Sequence, residues 1–282
     1  MSGDKPPFPP VPPVGHVLTQ RAIDKRYVGV FVEGPDDVQL WSRWLKHRPV
    51  GRGGCREVRA ALDELRRSKV PGCVGIVDAD LERLRGRWPD DLDLIVSGAH
   101  DHECDLVLSP AFDRLLQSLP TVDSDLQKLA HPSSLRDALR DRALPFGLVR
   151  WLYLEQRQKF PDRLTPNNEE LLDRRTWTLH RNKLIELAAE PLGRSMDQVE
   201  SQLAELLARV AAVAQLWEVC HGHDVVELLR LAFYAVKRPR SERDIRHGLQ
   251  LALDSADLQS FPMWRQLEAW ETRNGPYSVR KC

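Results

Sequence analysis

Acidic side chains follow two short apolar runs of the sequence. Glu33 comes directly after the run Tyr27–Val32, and Asp78 and Asp80 end the run Cys73–Asp80. Carboxylates that are brought close together repel one another unless something neutralises their charge. A divalent cation would do so, and a shell made only of oxygen ligands suits Mg²⁺ or Mn²⁺ better than zinc. These residues are therefore candidate ligands of Mg²⁺ or Mn²⁺.

A third polar segment, "HDHECD", follows the apolar run Leu92–Gly98. Its Glu103 is a candidate for an additional or second metal ligand. His100 and His102 are candidates for proton transfer, although a histidine at the start of a helix is more often a surface or capping residue. Asp101 has the alternative interpretation of a helix N-cap.

Acids that follow strands have an ordinary structural explanation, because they also cap the helix that comes next. For Asp36 and Asp37 taken alone, capping is the favoured interpretation. An isolated D-x-D is weak evidence for a metal site in a chain with 41 acidic residues. The ordered set is stronger evidence: a strand with Glu-Gly, a strand with D-x-D, and a strand followed by an acid.

Alternating elements must position these residues. Between 27 and 97, apolar runs of strand length alternate with segments whose apolar residues recur at helical spacing. This alternation predicts an α/β fold with a mostly parallel sheet and crossover helices, although the strand expected near Val50 is barely visible. The carboxyl ends of parallel strands collect at one edge of the sheet. The candidate acids are therefore expected to meet there. The helical spacings are those of Val38, Trp41 and Leu45, and of Val58, Leu62 and Leu65.

Strand signals fade after about residue 103, and helical patterns take over. An amphipathic stripe runs through Met196–Val219, and further helices are predicted over 223–236 and 242–254. The first 14 residues, "MSGDKPPFPPVPPV", are rich in proline and are expected to lie outside the core. We therefore predict three parts: a proline-rich arm (1–26), a catalytic α/β domain (27–109) and a helical domain (110–282). The stripe consists of Val199, Leu203, Leu206, Leu207, Val210 and Val213.

Charge and cysteine content narrow the classes of partner. Acidic and basic residues balance at 41 each, so any site for a polyanion must be local. We nominate Arg83, Arg85 and Arg87 for contact with nucleic acid, because they follow the D-x-D directly and arginine grips phosphate bidentately. Trp88 and Trp177 are candidates for base stacking.

The five cysteines are scattered and never in C-x-x-C spacing, which predicts free thiols rather than a disulfide framework or a cysteine-rich zinc site. No apolar run reaches the ~20 residues that a membrane helix needs. The N-terminus also lacks the pattern of a signal peptide. We therefore expect a cytoplasmic protein with no membrane partner, and the sequence leaves a homo-oligomer open.

The segment "CHGHD" presents two interpretations. Cys220, His221, His223 and Asp224 suggest zinc, but typical tetrahedral sites draw on two separated pairs of ligands. Asp224 and Glu227 have the three-residue offset of a capping box, and that structural interpretation is favoured.

Taken together, the motifs resemble the TOPRIM domain shared by topoisomerases, primases and OLD-type nucleases. Its strand with Glu-Gly and a following aspartate is matched by Glu33, Gly34 and Asp37, and its D-x-D by Asp78 and Asp80. The stretches "HDHECDLV" and "HGHDVVELL" resemble segments of a TOPRIM-type family that includes the AriB effector of the PARIS anti-phage system. The match covers roughly residues 27–108 well and 218–232 loosely.

This resemblance implies a Mg²⁺- or Mn²⁺-dependent nuclease with a TOPRIM-like sheet. Asp78 and Asp80 would hold the metal, and Glu33 would complete its shell or transfer a proton. The resemblance also implies a toxic defence effector that an ABC-type ATPase partner holds inactive. Structured RNA, above all transfer RNA, is the expected target, with DNA as in OLD-type endonucleases as the alternative. A D-x-D phosphatase and a non-catalytic partner-binding module are the competing hypotheses.

Overall fold

A computed structural model describes residues 12–87, 90–210 and 216–281 of the chain. Short strands alternate with helices over residues 29–96, and the remaining elements are mostly helices. In chain order the elements are α1 (Pro13–Ile23), β1 (Gly29–Val32), α2 (Pro35–Ser42), β2 (Val50–Gly51), α3 (Cys55–Arg67), β3 (Cys73–Val77), β4 (Leu94–Val96), α4 (His102–Leu108), α5 (Pro110–Gln117), α6 (Pro120–Ala130), α7 (Leu135–Glu155), β5 (Leu172–Asp173), β6 (Thr178–Leu179), α8 (Arg181–Leu192), α9 (Met196–Ala208), α10 (Leu216–Val219), α11 (Gly222–Ala235), α12 (Glu242–Ala252), α13 (Ser255–Leu258) and α14 (Pro262–Arg273).

The first four strands form one sheet in the order β2-β1-β3-β4, and every neighbouring pair is parallel. The predicted α/β class and parallel sheet are confirmed. The faint strand near Val50 is also present, but it is only two residues long, which explains its weak sequence signal.

The register of the two central strands fixes where their carboxyl ends lie. Val32, the last residue of β1, pairs with Ile76 in β3. The residues that follow these strands, Glu33 and Asp78, therefore emerge at the same edge of the sheet.

Helix α3 packs against strands β1 and β3 of this sheet, and helix α1 packs against α3. Gly75 of β3 permits the close approach of α3, because a Cβ there would lie 2.7 Å from Val58 Cγ1. Val17 of α1 is fully buried. The expectation that residues 1–14 lie outside the core is therefore wrong for Pro13, which is buried, and the second half of the predicted arm 1–26 contains α1. Pro13 is the first helical residue, where proline's fixed φ favours a helix. Residues 1–11 of the predicted arm lie outside the described residues.

The edge strand β4 is covered by helix α14, although the two lie far apart in sequence. Gln266 on α14 accepts a hydrogen bond from Val96 N at 3.0 Å and donates one to Val96 O at 2.8 Å. Trp270 Nε1 donates to Asp93 Oδ1 at 3.0 Å. The side-chain amide of Gln266 thus satisfies the backbone of the edge strand as a further strand would.

The chain divides into two compact units. Unit 1 contains the described residues of Met1–Asp78, Pro89–Ser97 and Pro262–Cys282, and unit 2 those of Ala79–Trp88 and Gly98–Phe261. These units differ from the linear division at residues 109 and 110, because α14 belongs with the sheet and the loop after Asp78 belongs with the helices.

The described residues of unit 2 are mostly helical and include the short antiparallel pair β5–β6. One hydrophobic core of this unit includes Trp151 and Tyr153 of α7, Ile185 of α8 and Leu203 of α9. The predicted amphipathic stripe is only partly correct, because α9 ends at Ala208 and α10 is separate. Val213 of that stripe lies outside the described residues, and Leu207 is 39% exposed. Across the described segments, none of the helices combines the length and the apolar character that a membrane crossing requires.

Candidate functional site

Glu33 joins the ends of the two central strands in unit 1. Its Oε1 accepts a hydrogen bond from Asp78 N at 2.8 Å. The carboxyl edge of the sheet therefore carries Glu33 after β1 and Asp78 after β3, as the sequence predicts. This bond also fixes the position of the Glu33 carboxylate.

Asp37 lies in the first turn of α2 and caps that helix. Its Oδ2 accepts a hydrogen bond from Gly34 N at 2.8 Å, so Asp37 caps from the third helical position, whereas the N-cap residue is Gly34 and not Asp36 or Asp37. Capping does not exclude a second role, because a carboxylate oxygen of Asp37 and one of Asp78 lie within 4.8 Å of each other. Two carboxylates at this separation offer the hard oxygen ligands that Mg²⁺ and Mn²⁺ prefer. The donor set of unit 1 therefore fits the predicted metal.

Asp80, in unit 2, lies on a strained turn beside His100. Its φ of 46° is in the left-handed region, which aspartate tolerates better than most residues. Asp80 N donates to His100 O at 2.8 Å, and Asp80 Oδ1 lies 3.7 Å from His100 Nε2. The Asp80 side chain is 56% exposed, whereas that of His100 is buried. This turn presents the second acid of the D-x-D to solvent.

His100 belongs to a group of three histidines. Its Nδ1 lies 2.9 Å from Glu218 O, which turns Nε2 toward Asp80. The His100 and His221 ring centroids are 5.2 Å apart, and those of His221 and His223 are 5.3 Å apart. Burial lowers the pKa of His221 well below its usual value, and the proximity of His100 adds to this. His221 is therefore neutral near pH 7.

Asp101 caps two helices at once. Its Oδ1 accepts from Cys104 N at 2.9 Å within α4, and its Oδ2 accepts from Gly222 N at 2.6 Å at the start of α11. The N-cap interpretation is therefore correct for Asp101. The same contact shows that the two segments "HDHECD" and "HGHD", which are 121 residues apart at these positions, touch within unit 2.

Glu103 is buried, and a cation already balances its charge. Arg246 Nη1 lies 3.4 Å from Glu103 Oε1, and His102 Nε2 lies 3.5 Å from Glu103 Oε2. Arg246 also contacts His223. Burial lowers the pKa of His223, and the positive charge of Arg246 lowers it further. In this structure Glu103 is thus the charge partner of Arg246.

The capping box predicted for Asp224 and Glu227 is wrong. Helix α11 begins at Gly222, and both Asp224 oxygens accept hydrogen bonds from Arg150, at 2.9 and 3.0 Å. Glu227 pairs with Arg230 instead. Burial raises the pKa of Asp224, while Arg150 opposes the shift. The role of Asp224 is nevertheless structural, because a bidentate ion pair ties α7 to α11.

The three nominated arginines differ in their surroundings. The side chain of Arg85 is only 8% exposed and pairs with Glu82 at 2.6 Å and with Glu155 at 3.5 Å. Arg83 donates to Gly98 O at 2.7 Å and lies 3.6 Å from Glu218. Arg87 is exposed. Arg83 and Arg85 thus support the loop after the D-x-D, and Arg87 is the most accessible of the three.

Of the two tryptophans nominated for stacking, Trp177 is not available to a base. Trp177 is fully buried, its Nε1 donates to Leu228 O at 2.9 Å, and the Arg142 guanidinium lies 4.0 Å from the ring centroid. Trp88 lies outside the described residues. As predicted, Cys55, Cys73, Cys104 and Cys220 keep their thiols and take part in no disulfide.

Two residues that support the site were missed in the sequence. Asp105 is buried and accepts from Gly98 N and Ala99 N, both at 2.8 Å, which shapes the loop before His100. Its position at the end of "HDHECD" was a signal that could have identified it. Arg246 had no such signal, because its contact with Glu103 depends on packing between α4 and α12.

The chain matches no protein-family model, no curated protein and no solved structure.

Proposed function

We propose that the chain is a metal-dependent nuclease that hydrolyses phosphodiester bonds. The observation that carries this proposal is the pair of carboxylates, Asp37 and Asp78, within 4.8 Å at the carboxyl edge of a parallel sheet. Glu33 is bound to the backbone of Asp78 at the same edge. Together with the TOPRIM-like motifs of the sequence, this arrangement favours phosphoryl chemistry over a purely structural role.

The residues of unit 1 take distinct roles in this proposal. Asp37 and Asp78 hold Mg²⁺ or Mn²⁺, which when bound supplies Lewis-acid stabilisation of charge on the phosphoryl oxygens. Glu33 Oε1 is held by Asp78 N, and we assign proton transfer from the attacking water to Oε2. The metal-binding roles of Asp80 and Glu103, which belong to unit 2, stay predictions.

The target and the regulation follow from the resemblance alone. We propose structured RNA, above all transfer RNA, as the substrate, with DNA as the alternative. We further propose that the protein is a toxic effector of anti-phage defence, which an ABC-type ATPase holds inactive until infection.

Substitution of Asp78 tests the metal site. We expect Asp78→Asn to abolish Mn²⁺ binding and to slow cleavage about 100-fold or more, because the substitution removes a ligand of the metal ion that would stabilise charge in the transition state. In EDTA the variant should be as stable as wild type or more so, because the substitution relieves repulsion with Asp37. Calorimetric Mn²⁺ titration, cleavage of RNA and DNA, and thermal unfolding in EDTA measure the three effects.

Asp90→Asn makes the same chemical change at an exposed acid of unit 1 and serves as the control. An Asp78→Asn protein with wild-type Mn²⁺ affinity would contradict the proposed site.

A further inference from the structure

An open cleft of about 640 Å³ runs along helix α2 in unit 1. Its lining begins at Pro35, the first residue of the helix, and includes the half-buried Val38 beside the buried Leu45. Pro35 follows Gly34, whose N–H binds the metal-ligand candidate Asp37. The cleft therefore starts at the turn that carries the candidate site. Helix α2 has eight residues, so the cleft follows it for about 10 Å.

The charge of this cleft has one sign. Among the eight described residues that line it are the cations Lys46, Arg48 and Lys281, and none of the eight is acidic. Lys46 Nζ donates to Ser278 Oγ at 2.8 Å, and Lys281 Nζ donates to the backbone oxygens of Ser42 and Arg43, both at 2.9 Å. These acceptors carry no formal charge, so the hydrogen bonds orient the two lysines without neutralising them.

We propose that this cleft binds the phosphodiester backbone of a nucleic-acid strand and leads it to the carboxylates at the start of α2. The inference rests on the proposed nuclease function. It replaces the expectation that Arg83 and Arg85 hold the substrate, because those side chains are engaged with Gly98, Glu82 and Glu155. In a chain with no net charge, a concave surface lined by three cations is the kind of local polyanion site that the composition requires.

The test measures binding without cleavage. The full chain is mixed in EDTA with a fluorescein-labelled single-stranded RNA, and fluorescence anisotropy is followed over a series of salt concentrations. Each lost phosphate contact should lower the slope of log K against log salt by about 0.7. The same relation gives about five-fold weaker binding at 0.1 M salt for Arg48→Gln and about 25-fold for Lys46→Gln with Arg48→Gln.

Two further variants separate charge from structure. Arg48→Lys keeps the charge and should keep most of the slope, whereas Arg67→Gln removes an exposed arginine of α3 outside the cleft and should change neither quantity. Because Lys46 also binds Ser278, thermal unfolding accompanies each titration, and Arg48→Gln alone remains decisive if the double variant is unstable.

Three outcomes would contradict RNA binding by the cleft. The first is that the wild-type protein binds no RNA at low salt, and the second is that Arg48→Gln and the double variant both bind RNA as tightly as wild type. The third is that Arg67→Gln loses as much affinity as Arg48→Gln. A separate assay with Mg²⁺ or Mn²⁺ distinguishes this inference from the proposed function. Cleft-dependent binding without any cleavage would leave the cleft standing and refute the nuclease. Cleavage by a protein whose RNA binding does not depend on the cleft would support the nuclease and refute the cleft.

Discussion

Gly222 lies at a position of unit 2 where there is no room for a Cβ atom. Its N–H donates to Asp101 Oδ2 at 2.6 Å, so the first turn of α11 lies directly on the residue that caps α4. A Cβ at this position would lie 2.2 Å from Asp101 Oδ1, far inside van der Waals contact. The glycine of the "HGHD" segment is therefore required by a close approach and not by chain flexibility.

Gly222→Ala is predicted to destabilise the protein by about 1–3 kcal/mol, because either the cap or the helix start must move. Gly15→Ala is the matched control, since a Cβ there meets nothing within 4 Å and alanine favours a helix by up to about 1 kcal/mol. Denaturant unfolding of both variants measures the difference. Equal stability of Gly222→Ala and wild type would show that the contact tolerates a methyl group.

Local sequence signals predicted some of these residues correctly and not others. The capping role of Asp37 could be predicted, because its partner is only three residues away. The true partner of Asp224 could not, because Arg150 lies 74 residues away on α7. A three-residue offset to Glu227 imitated a capping box, and the sequence contained no evidence of the buried ion pair that Asp224 forms instead.

Helices α11 and α12 meet through a pair of carboxyl groups. Glu242, at the start of α12, hydrogen-bonds to Glu227 of α11, and Arg246 lies 3.8 Å from Glu242. Partial burial, the bond to Glu227 and the charge of Glu227 together raise the pKa of Glu242 to about 7. Glu242 therefore keeps its proton in the folded protein over a pH range in which the unfolded chain loses it.

This pair predicts a pH dependence of stability. As the pH rises from about 4.5 to about 7, the folded state binds more protons than the unfolded state, so the contribution of Glu242 to stability falls. Glu242→Gln removes this effect and should gain stability relative to wild type across that range. Thermal unfolding at several pH values, with exposed Glu205→Gln as control, measures it. A constant difference between Glu242→Gln and wild type would contradict the assignment.

The hydrogen bonds between helix α14 and strand β4 predict an effect on stability. Gln266→Leu would leave Val96 N and Val96 O without their side-chain partner, at a predicted cost of about 1–3 kcal/mol. Amide hydrogen exchange should show faster exchange at Val96 in this variant. Gln20→Leu on α1 makes the same chemical change and should leave that amide protected. Unchanged exchange at Val96 in Gln266→Leu would mean that β4 is held by β3 alone.

Among the secondary-structure elements, the sequence predicted the strands better than the helices that cover them. Continuous apolar runs revealed β1, β3 and β4, and their acidic ends placed Glu33 and Asp78 at one edge. Strand β2 was faint because two residues cannot establish a pattern. The return of α14 to β4 was not predicted at all. Amphipathic spacing shows that a helix has a buried face and does not show which element covers it.

The charges of the whole molecule balance, so a positively charged site can only be local. Forty-one acids balance 41 bases, so nonspecific attraction to nucleic acid should be weak away from the cleft along α2. The proposed nuclease would therefore depend on being positioned on its substrate. That requirement agrees with the proposed control by a partner ATPase.

Expression in cells tests this control through Glu33. Wild type without its partner should slow growth and fragment transfer RNA, and co-expression of the partner should suppress both effects until the trigger is supplied. Glu33→Gln should be harmless in all three conditions, although its amide oxygen can still accept the bond from Asp78 N and preserve the fold. Glu64→Gln on α3 is the control. Equal growth of wild type and Glu33→Gln throughout, with intact transfer RNA and genomic DNA, would argue decisively against a toxic nuclease.

The pairing of Val96 with Gln266 also has a consequence for synthesis. The two residues are 170 positions apart, and nearly all of unit 2 lies between them. A ribosome that adds 5–20 residues per second needs about 10–30 s to cover this distance. During that time the outer edge of β4 is exposed on the nascent chain, where unpaired strand edges invite association with other chains. The sheet that carries Glu33 and Asp78 is thus completed only after the helical unit has been translated.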